Sequence, residues 1–218
     1  MKCQNNLKQI AIGMHNCAQA TGALPQGVAD HGGTANFWAQ GTWVVAILPY
    51  VEQQNIFDMY KGYGVASGPN YYADANVVGG ATSKQISLFL CPSDTVKTTD
   101  GWPTPPTKSC TYHNYVVNYG NTAINDGTAK WQVDPFNSVA YKGAPFTYGQ
   151  PTKLVSILDG TSNTLMASEV IVGQRRDLRG LTWWGPGAGF VSTLRPNDTA
   201  PDLSWGDSSW CDTNAPNP

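Results

Sequence analysis

The sequence has little charge of either sign. Charged residues make up 13% of its 218 residues, about half the share usual for soluble domains, and the formal net charge is −2. Nucleic acids and anionic lipids attract strongly basic surfaces. The only basic cluster, Arg175, Arg176 and Arg179, is interrupted by Asp177. We therefore expect no nucleic-acid partner.

Motifs of common catalytic and metal sites are also lacking. There is no G-x-S-x-G, H-E-x-x-H, Walker or dinucleotide-binding pattern, and no zinc-like spacing of Cys and His. A glycosidase needs two carboxyls facing one cleft. The only glutamates, Glu52 and Glu169, are better explained by structural roles. Among the histidines, His31 in a glycine-rich loop is the one functional candidate, whereas His15 and His113 fit structural positions. We expect no enzymatic activity.

Long hydrophobic runs and an N-terminal signal peptide are missing too. No window approaches the roughly eighteen apolar residues of a membrane span, and the first six residues are polar. What is abundant is Trp (8), Tyr (10), Gly (23) and Pro (15). This composition argues against a helix bundle and against disorder, and it is typical of a secreted, β-rich protein.

The apolar pattern is helical first and strand-like later. Residues 4–20 place Leu7, Ile10 and Met14 on one helical face, and a second apolar helix from Trp43 to Phe57 is interrupted by Pro49. Strands are predicted over 112–119, 153–158, 164–172, 181–184 and 190–194. Residues 86–90 form a short buried strand or turn. We predict a single α+β domain, with an N-terminal helix at 1–21, a helix and loop region at 22–110 and a β-rich region at 111–218.

Five cysteines allow more than one pairing. Cys3 and Cys17 are separated by about 21 Å on one helix, which is too far for a disulfide. Cys91 and Cys110 flank a Pro- and Thr-rich loop, and we predict that they pair. Cys211 can then reach Cys3 or Cys17, which leaves one thiol over. The alternative is five reduced cysteines in a cytosolic protein.

Two binding hypotheses rest on the later part of the chain. Trp183, Trp184, Trp205 and Trp210 can form an aromatic platform for a carbohydrate, although core packing is the favoured explanation. Carboxylates in Gly- and Asn-rich loops suit calcium. The EF-hand spacing is absent, however, so solvated loop charge is favoured and we expect no cofactor. The acidic residues concerned are Asp126, Asp134, Asp198, Asp202, Asp207 and Asp212.

An ordered set of short motifs spans nearly the whole chain. They are Cys3-Gln4-Asn5-Asn6-Leu7-Lys8-Gln9-Ile10 with Met14-His15-Asn16, Leu24-Pro25, Trp43 with Ile47-Leu48-Pro49-Tyr50-Val51-Glu52-Gln53, Phe89-Leu90-Cys91-Pro92-Ser93-Asp94, Asn114-Tyr115 with Asn118-Tyr119, and Asp159-Gly160-Thr161-Ser162-Asn163-Thr164 with Glu169. In this order they resemble the domain-of-unknown-function 1559 family, also labelled solute-binding family 10. Its members are bacterial proteins with a prepilin-like start.

The resemblance implies a pilin-like architecture, in which an N-terminal helix packs on an antiparallel sheet with long loops. In full-length members the helix continues upstream as an apolar membrane segment behind a prepilin peptidase site. This segment is missing here, so any membrane contact would require it. Leu7, Ile10 and Met14 would then form the lower half of the assembly helix, buried against the sheet.

The resemblance also implies a non-catalytic, extracytoplasmic subunit of a surface filament or secretion apparatus. Its partners would be copies of itself or related pilin-like subunits. The alternative is an extracellular module that binds a carbohydrate or another small solute through its Trp-, Asn- and Asp-rich loops.

Overall fold

The computed structural model describes residues 1–29, 40–65, 67–95, 110–121, 140–173 and 178–192. The predicted N-terminal helix is present as α1, Lys2–Thr21, and Gly22 ends it with φ 86°, its N–H donating to the carbonyl of Ala18. Glycine adopts this left-handed conformation without the strain that a Cβ would add. Among the residues described, no helix combines the length and apolarity needed to cross a membrane.

Pro49 divides the second apolar segment, as its position predicts. The pieces are α2 at Trp43–Ile47, a 3₁₀ turn at Leu48–Val51 and α3 at Gln54–Met59. Proline has no N–H for an internal helical bond, so the α-helix does not continue through it. α1 packs against α2 and the 3₁₀ turn. Gly13 of α1 allows this approach, because a Cβ there would collide with the side chain of Val51.

Short helical elements follow in the middle of the chain. They are α4 at Asp74–Val77 and two 3₁₀ turns at Ala81–Ser83 and Ser87–Phe89. The last of these resolves the choice left open for residues 86–90 in favour of a turn. Phe89 is fully buried there and meets Trp43 edge to face, with ring centroids 6.0 Å apart.

The sheet is small and mixed. Its strands are β1 at Tyr115–Asn118, β2 at Ala167–Glu169 and β3 at Gly189–Phe190, in the order β2–β1–β3. β1 and β2 are antiparallel, with Tyr115 opposite Glu169, whereas β1 and β3 are parallel, with Val117 opposite Gly189. The α+β class is confirmed, but the sheet is not wholly antiparallel.

Two of the predicted strands are wrong. Residues 154–156 form a 3₁₀ turn, and the side chains of Val155 within it and of Leu158 after it are exposed to solvent. Residues 181–184 are largely buried in irregular backbone that leads into a 3₁₀ turn at Gly185–Gly187. The apolar run at 181–184 reflects burial without a strand ladder, and a short apolar run alone does not separate these cases.

Hydrogen bonds join the start of α2 and the end of β1 to the segment around 182–188. Trp43 Nε1 donates to the carbonyl of Ala188 (2.8 Å), Thr42 Oγ1 donates to the carbonyl of Thr182 (2.6 Å), and Tyr119 Oη donates to the carbonyl of Gly185 (2.9 Å). All three bonds are buried. Residues from the helices and from the sheet therefore share one hydrophobic core.

Candidate functional site

A disulfide joins the first turn of α1 to the turn that follows residue 90. Cys3 and Cys91 are bonded, with their Cα atoms 5.1 Å apart and a separation of 88 positions in the sequence. Cys91 is buried and Cys3 is half-buried. The start of α1 is thus covalently attached to a segment that is distant along the chain.

Asn6 adds polar contacts one turn further along α1. Its buried side chain donates from Nδ2 to the carbonyls of Leu90 (3.0 Å) and Ser87 (3.5 Å). Tyr115 Oη of β1 donates to the carbonyl of Cys3 (3.3 Å). Burial raises the pKa of Tyr115, against a lowering by its hydrogen bond with Asn6. Both contacts hold α1 against the body of the domain.

Asn114 connects the turn at 91–94 to the segment after β2. Its Oδ1 accepts the N–H of Cys91 (2.9 Å), and its Nδ2 donates to Asp94 Oδ2 (2.7 Å) and to the carbonyl of Val170 (3.1 Å). Asp94 Oδ2 also accepts the N–H of Val172 (2.8 Å). We call Cys3, Asn6, Cys91, Asp94 and Asn114 the anchor cluster, because together they fasten α1, the 91–94 turn and the sheet.

The predicted pairing of Cys91 with Cys110 is wrong. Cys110 is a buried thiol whose Sγ lies 3.6 Å from Thr82 Oγ1, and burial raises its pKa to about 11. Packing of α1 on the body brings Cys3, rather than Cys110, to Cys91. Cys17 is a free buried thiol. Cys211 lies outside the described residues.

The predicted aromatic platform is not formed by Trp183. This side chain is 0% exposed, its Nε1 donates to the carbonyl of Thr111 (3.0 Å), and its ring stacks on Tyr60. A ligand has no access to it, so core packing explains this tryptophan. Trp184 is half-buried. Trp205 and Trp210 lie outside the described residues, and so do all six aspartates considered for calcium.

The titratable candidates are dispersed. His113 is fully buried, with Nδ1 2.5 Å from Thr182 Oγ1, and burial lowers its pKa to about 3. It is therefore a neutral core residue at physiological pH. Glu52 is exposed at the end of a 3₁₀ turn with φ 61°, and Glu169 is exposed on β2. His31 lies outside the described residues.

A shallow apolar pocket lies between α1 and the segment at 154–166. Its volume is about 70 Å³, and it is lined by His15, Leu24, Pro145, Leu154, Ile157, Thr161, Thr164 and Met166. Pockets for small ligands usually enclose about 300–1,000 Å³. This pocket is too small for a sugar ring with its hydration.

The surface around this pocket exposes large apolar side chains. Val155 is 88% exposed, Leu158 94% and Leu165 57%. We call these three exposed side chains, which lie in the segment 154–166, the apolar surface. The turn in the middle of this segment is stabilised by local hydrogen bonds, since Asn163 Nδ2 donates to the carbonyl of Asp159 (2.8 Å) and Thr164 Oγ1 to that of Gly160 (3.1 Å).

The predicted helix face faces inward. Ile10 and Met14 are fully buried within the domain and Leu7 is half-buried, with α1 lying against α2, the 48–51 turn and β2. Ile10 and Met14 are thus occupied by the protein's own core and are not available to another subunit. Ile12, on the outer side of α1, is half-exposed.

A family model described as SBP_bac_10, protein of unknown function (DUF1559), matches residues 1–217. The chain belongs to the DUF1559 family. Neither the comparison with curated proteins nor that with solved structures gave a match.

The anchor cluster gives three of the short motifs named in the sequence analysis a common physical role. The motifs that begin at Cys3, at Phe89 and at Asn114 all supply members of it. Asn6, Asp94 and Asn114 lie in these motifs, but spacing and periodicity predict no role for them. The signal that was available is chemical: Asn114 is an amide next to the apolar run Tyr115–Val117, and a buried amide there requires partners.

Proposed function

We propose that this chain is the globular part of a non-catalytic, extracytoplasmic, pilin-like or pseudopilin-like subunit. The observation that carries the proposal is the apolar surface beside α1. Exposed apolar patches of this kind mark interaction sites, and this one lies next to the helix that the family resemblance identifies as the assembly element. The subunit needs no cofactor for this role.

The anchor cluster supports the proposal mechanically. A helix that continues upstream into a neighbouring subunit would transmit load to the globular body where α1 enters it. The Cys3–Cys91 disulfide and the Asn6 hydrogen bonds lie at this end of α1. They would keep the body attached when the helix is pulled.

The disulfide also supports an extracytoplasmic location. Disulfides persist in oxidising compartments such as the periplasm and the cell surface, and they are rare in the reducing cytosol.

Charge substitution on the apolar surface tests assembly. We expect Leu158→Asp in the full-length protein to abolish crosslinking between subunits in the native envelope, with little change in thermal stability because Leu158 is 94% exposed. Val78→Asp is the matched control, since Val78 is 69% exposed on another segment. Unchanged crosslinking in the Leu158 variant, or equal loss in both variants, would contradict assembly through this surface.

The solute-binding alternative predicts a different result. A carbohydrate or small solute that binds the folded chain would raise its thermal midpoint by mass action. We expect no such rise across a panel of mono- and oligosaccharides, because the pocket beside α1 holds only about 70 Å³ and Trp183 is fully buried. A saturable, ligand-specific rise would favour the binding module instead.

A further inference from the structure

The sulfurs of Cys3 and Cys91 and the carboxylate of Glu169 converge on one small volume. One ligand atom from each of the three side chains lies within 4.8 Å of the other two. Zinc bonds of about 2.3 Å to sulfur and 2.0–2.2 Å to oxygen place neighbouring ligands of one tetrahedral ion about 3.5–3.8 Å apart. After reduction of the Cys3–Cys91 bond, the two sulfurs must separate and the carboxylate must approach them to reach this spacing.

The surroundings hold the three groups from separate elements. Cys91 is fixed by the bond from its N–H to Asn114, and the carbonyl of Cys3 accepts the hydroxyl of Tyr115. Glu169 lies directly opposite Tyr115 in the β1–β2 register and is exposed. Hydrogen bonds thus hold the backbones of both cysteines, and the exposed carboxylate of Glu169 leaves an entry path for an ion.

We propose that, when the Cys3–Cys91 disulfide is reduced by a dithiol, Cys3, Cys91 and Glu169 bind one zinc-class divalent cation. Two thiolates and a carboxylate are ligands that zinc accepts, with water completing the tetrahedron. Ser93 Oγ lies 3.8 Å from Cys3 Sγ, close to the same position. The inference does not depend on the proposed assembly function.

Reduction of the Cys3–Cys91 bond proceeds by thiol–disulfide exchange. A thiolate of the external dithiol attacks one sulfur of the Cys3–Cys91 bond, and the other cysteine sulfur leaves as a thiolate. The second thiolate of the reductant then attacks the reductant's own sulfur in the mixed disulfide, and the remaining cysteine leaves as a thiolate. The protein thereby gains two electrons, the reductant becomes an intramolecular disulfide, and its two thiol protons pass to solvent. Zinc binding releases to solvent any protons that the two cysteine thiols still carry. Either the covalent bond or the ion then fastens α1 to the 91–94 turn.

Metal titration of the full chain tests the site. We expect the reduced protein to bind one equivalent of Zn²⁺ in competition with a chromogenic chelator, and Cd²⁺ to give a thiolate-to-metal charge-transfer band. The oxidised protein should show neither. Equal binding by oxidised and reduced protein, or no binding by the reduced protein, would overturn the proposal.

Matched variants identify the ligands. Glu169→Gln should weaken Zn²⁺ binding at least about tenfold, whereas Glu52→Gln, at the only other glutamate, should leave it unchanged. Cys91→Ser should abolish binding, while Cys17→Ala, Cys110→Ala and Cys211→Ser should retain it. Wild-type affinity in the Glu169 variant, or loss of binding in the Cys110 or Cys211 variant, would refute the three-residue site.

A folding readout covers the case in which the reduced chain unfolds. Zinc that binds this site should restore the helical circular dichroism signal of the reduced protein or raise its thermal midpoint. Zinc bound without either effect would show capture by unfolded cysteines, and it would overturn the site.

Discussion

Removal of the Asn114 side chain should destabilise the protein more than its small size suggests. Asn114→Ala leaves the buried N–H of Cys91 without an acceptor and removes a hydrogen bond to the Asp94 carboxylate. An unsatisfied buried donor costs about 1–3 kcal/mol, and a hydrogen bond to a charged group contributes about 1.5–3 kcal/mol. The half-buried carbonyl of Val170 adds less. We expect a loss of about 3–5 kcal/mol in the free energy of unfolding.

Urea and thermal unfolding of the full chain measure this loss. At about 2–4 °C per kcal/mol for a chain of this size, the midpoint should fall by about 6–20 °C. Asn163→Ala is the matched control, because Asn163 is exposed and donates one bond to the carbonyl of Asp159. Its effect should stay within about 0.5 kcal/mol. Equal effects of the two substitutions would refute the structural role of the anchor cluster.

A second substitution at Asn114 separates hydrogen bonding from charge. Asn114→Asp keeps an acceptor for the N–H of Cys91 but places a second carboxylate against Asp94. Like charges raise the pKa of one member of such a pair above its value in the unfolded chain. The variant's relative stability should therefore be greatest below about pH 4 and be lost as the pH rises. A loss of stability that does not change with pH would contradict the contact between residues 94 and 114.

Three further predictions concern the disulfide, the buried histidine and the buried tryptophan. Cys91→Ser should lower the free energy of unfolding by about 4 kcal/mol, because the bond closes a loop of about 90 residues. In the control variant Cys110→Ser, a non-reducing digest should still contain the peptide pair linked through Cys3 and Cys91. The folded pKa of His113, about 3, lies below the unfolded value of 6.5. Stability should therefore fall by up to about 1.4 kcal/mol per pH unit as the pH decreases below 6.5, and His113→Gln should reduce that slope in urea titrations at several pH values. Trp183→Ala should cost about 3–5 kcal/mol and leave any measured carbohydrate binding unchanged, whereas selective loss of binding in a stable variant would place the ligand at this tryptophan.

The local features of the fold could be predicted from the sequence. The spacing of Ile10 and Met14 predicts α1, and Pro49 predicts the break after α2, because both depend on neighbours within a few residues. The predictions of strands at 153–158 and 181–184 are wrong for a different reason. Apolar runs there meet either solvent or irregular buried backbone, and only the tertiary contacts decide which.

The anchor cluster could not be predicted because it is built from long-range contacts. The loop between Cys91 and Cys110 favours their pairing from the sequence, but the packing of α1 brings Cys3 to Cys91. Disulfide connectivity is not determined by spacing alone. The exposure of Val155 and Leu158 could not be predicted from the sequence either. An apolar residue type does not indicate whether the side chain is covered by the chain's own core or by another subunit.

The most direct test of the assembly proposal is the intact mass and N-terminal sequence of the native protein from its membrane fraction. The proposal predicts a mature end upstream of Met1, within an apolar, N-methylated segment that continues α1. An end at Met1, or one produced by an ordinary signal peptidase, would contradict assembly through this helix.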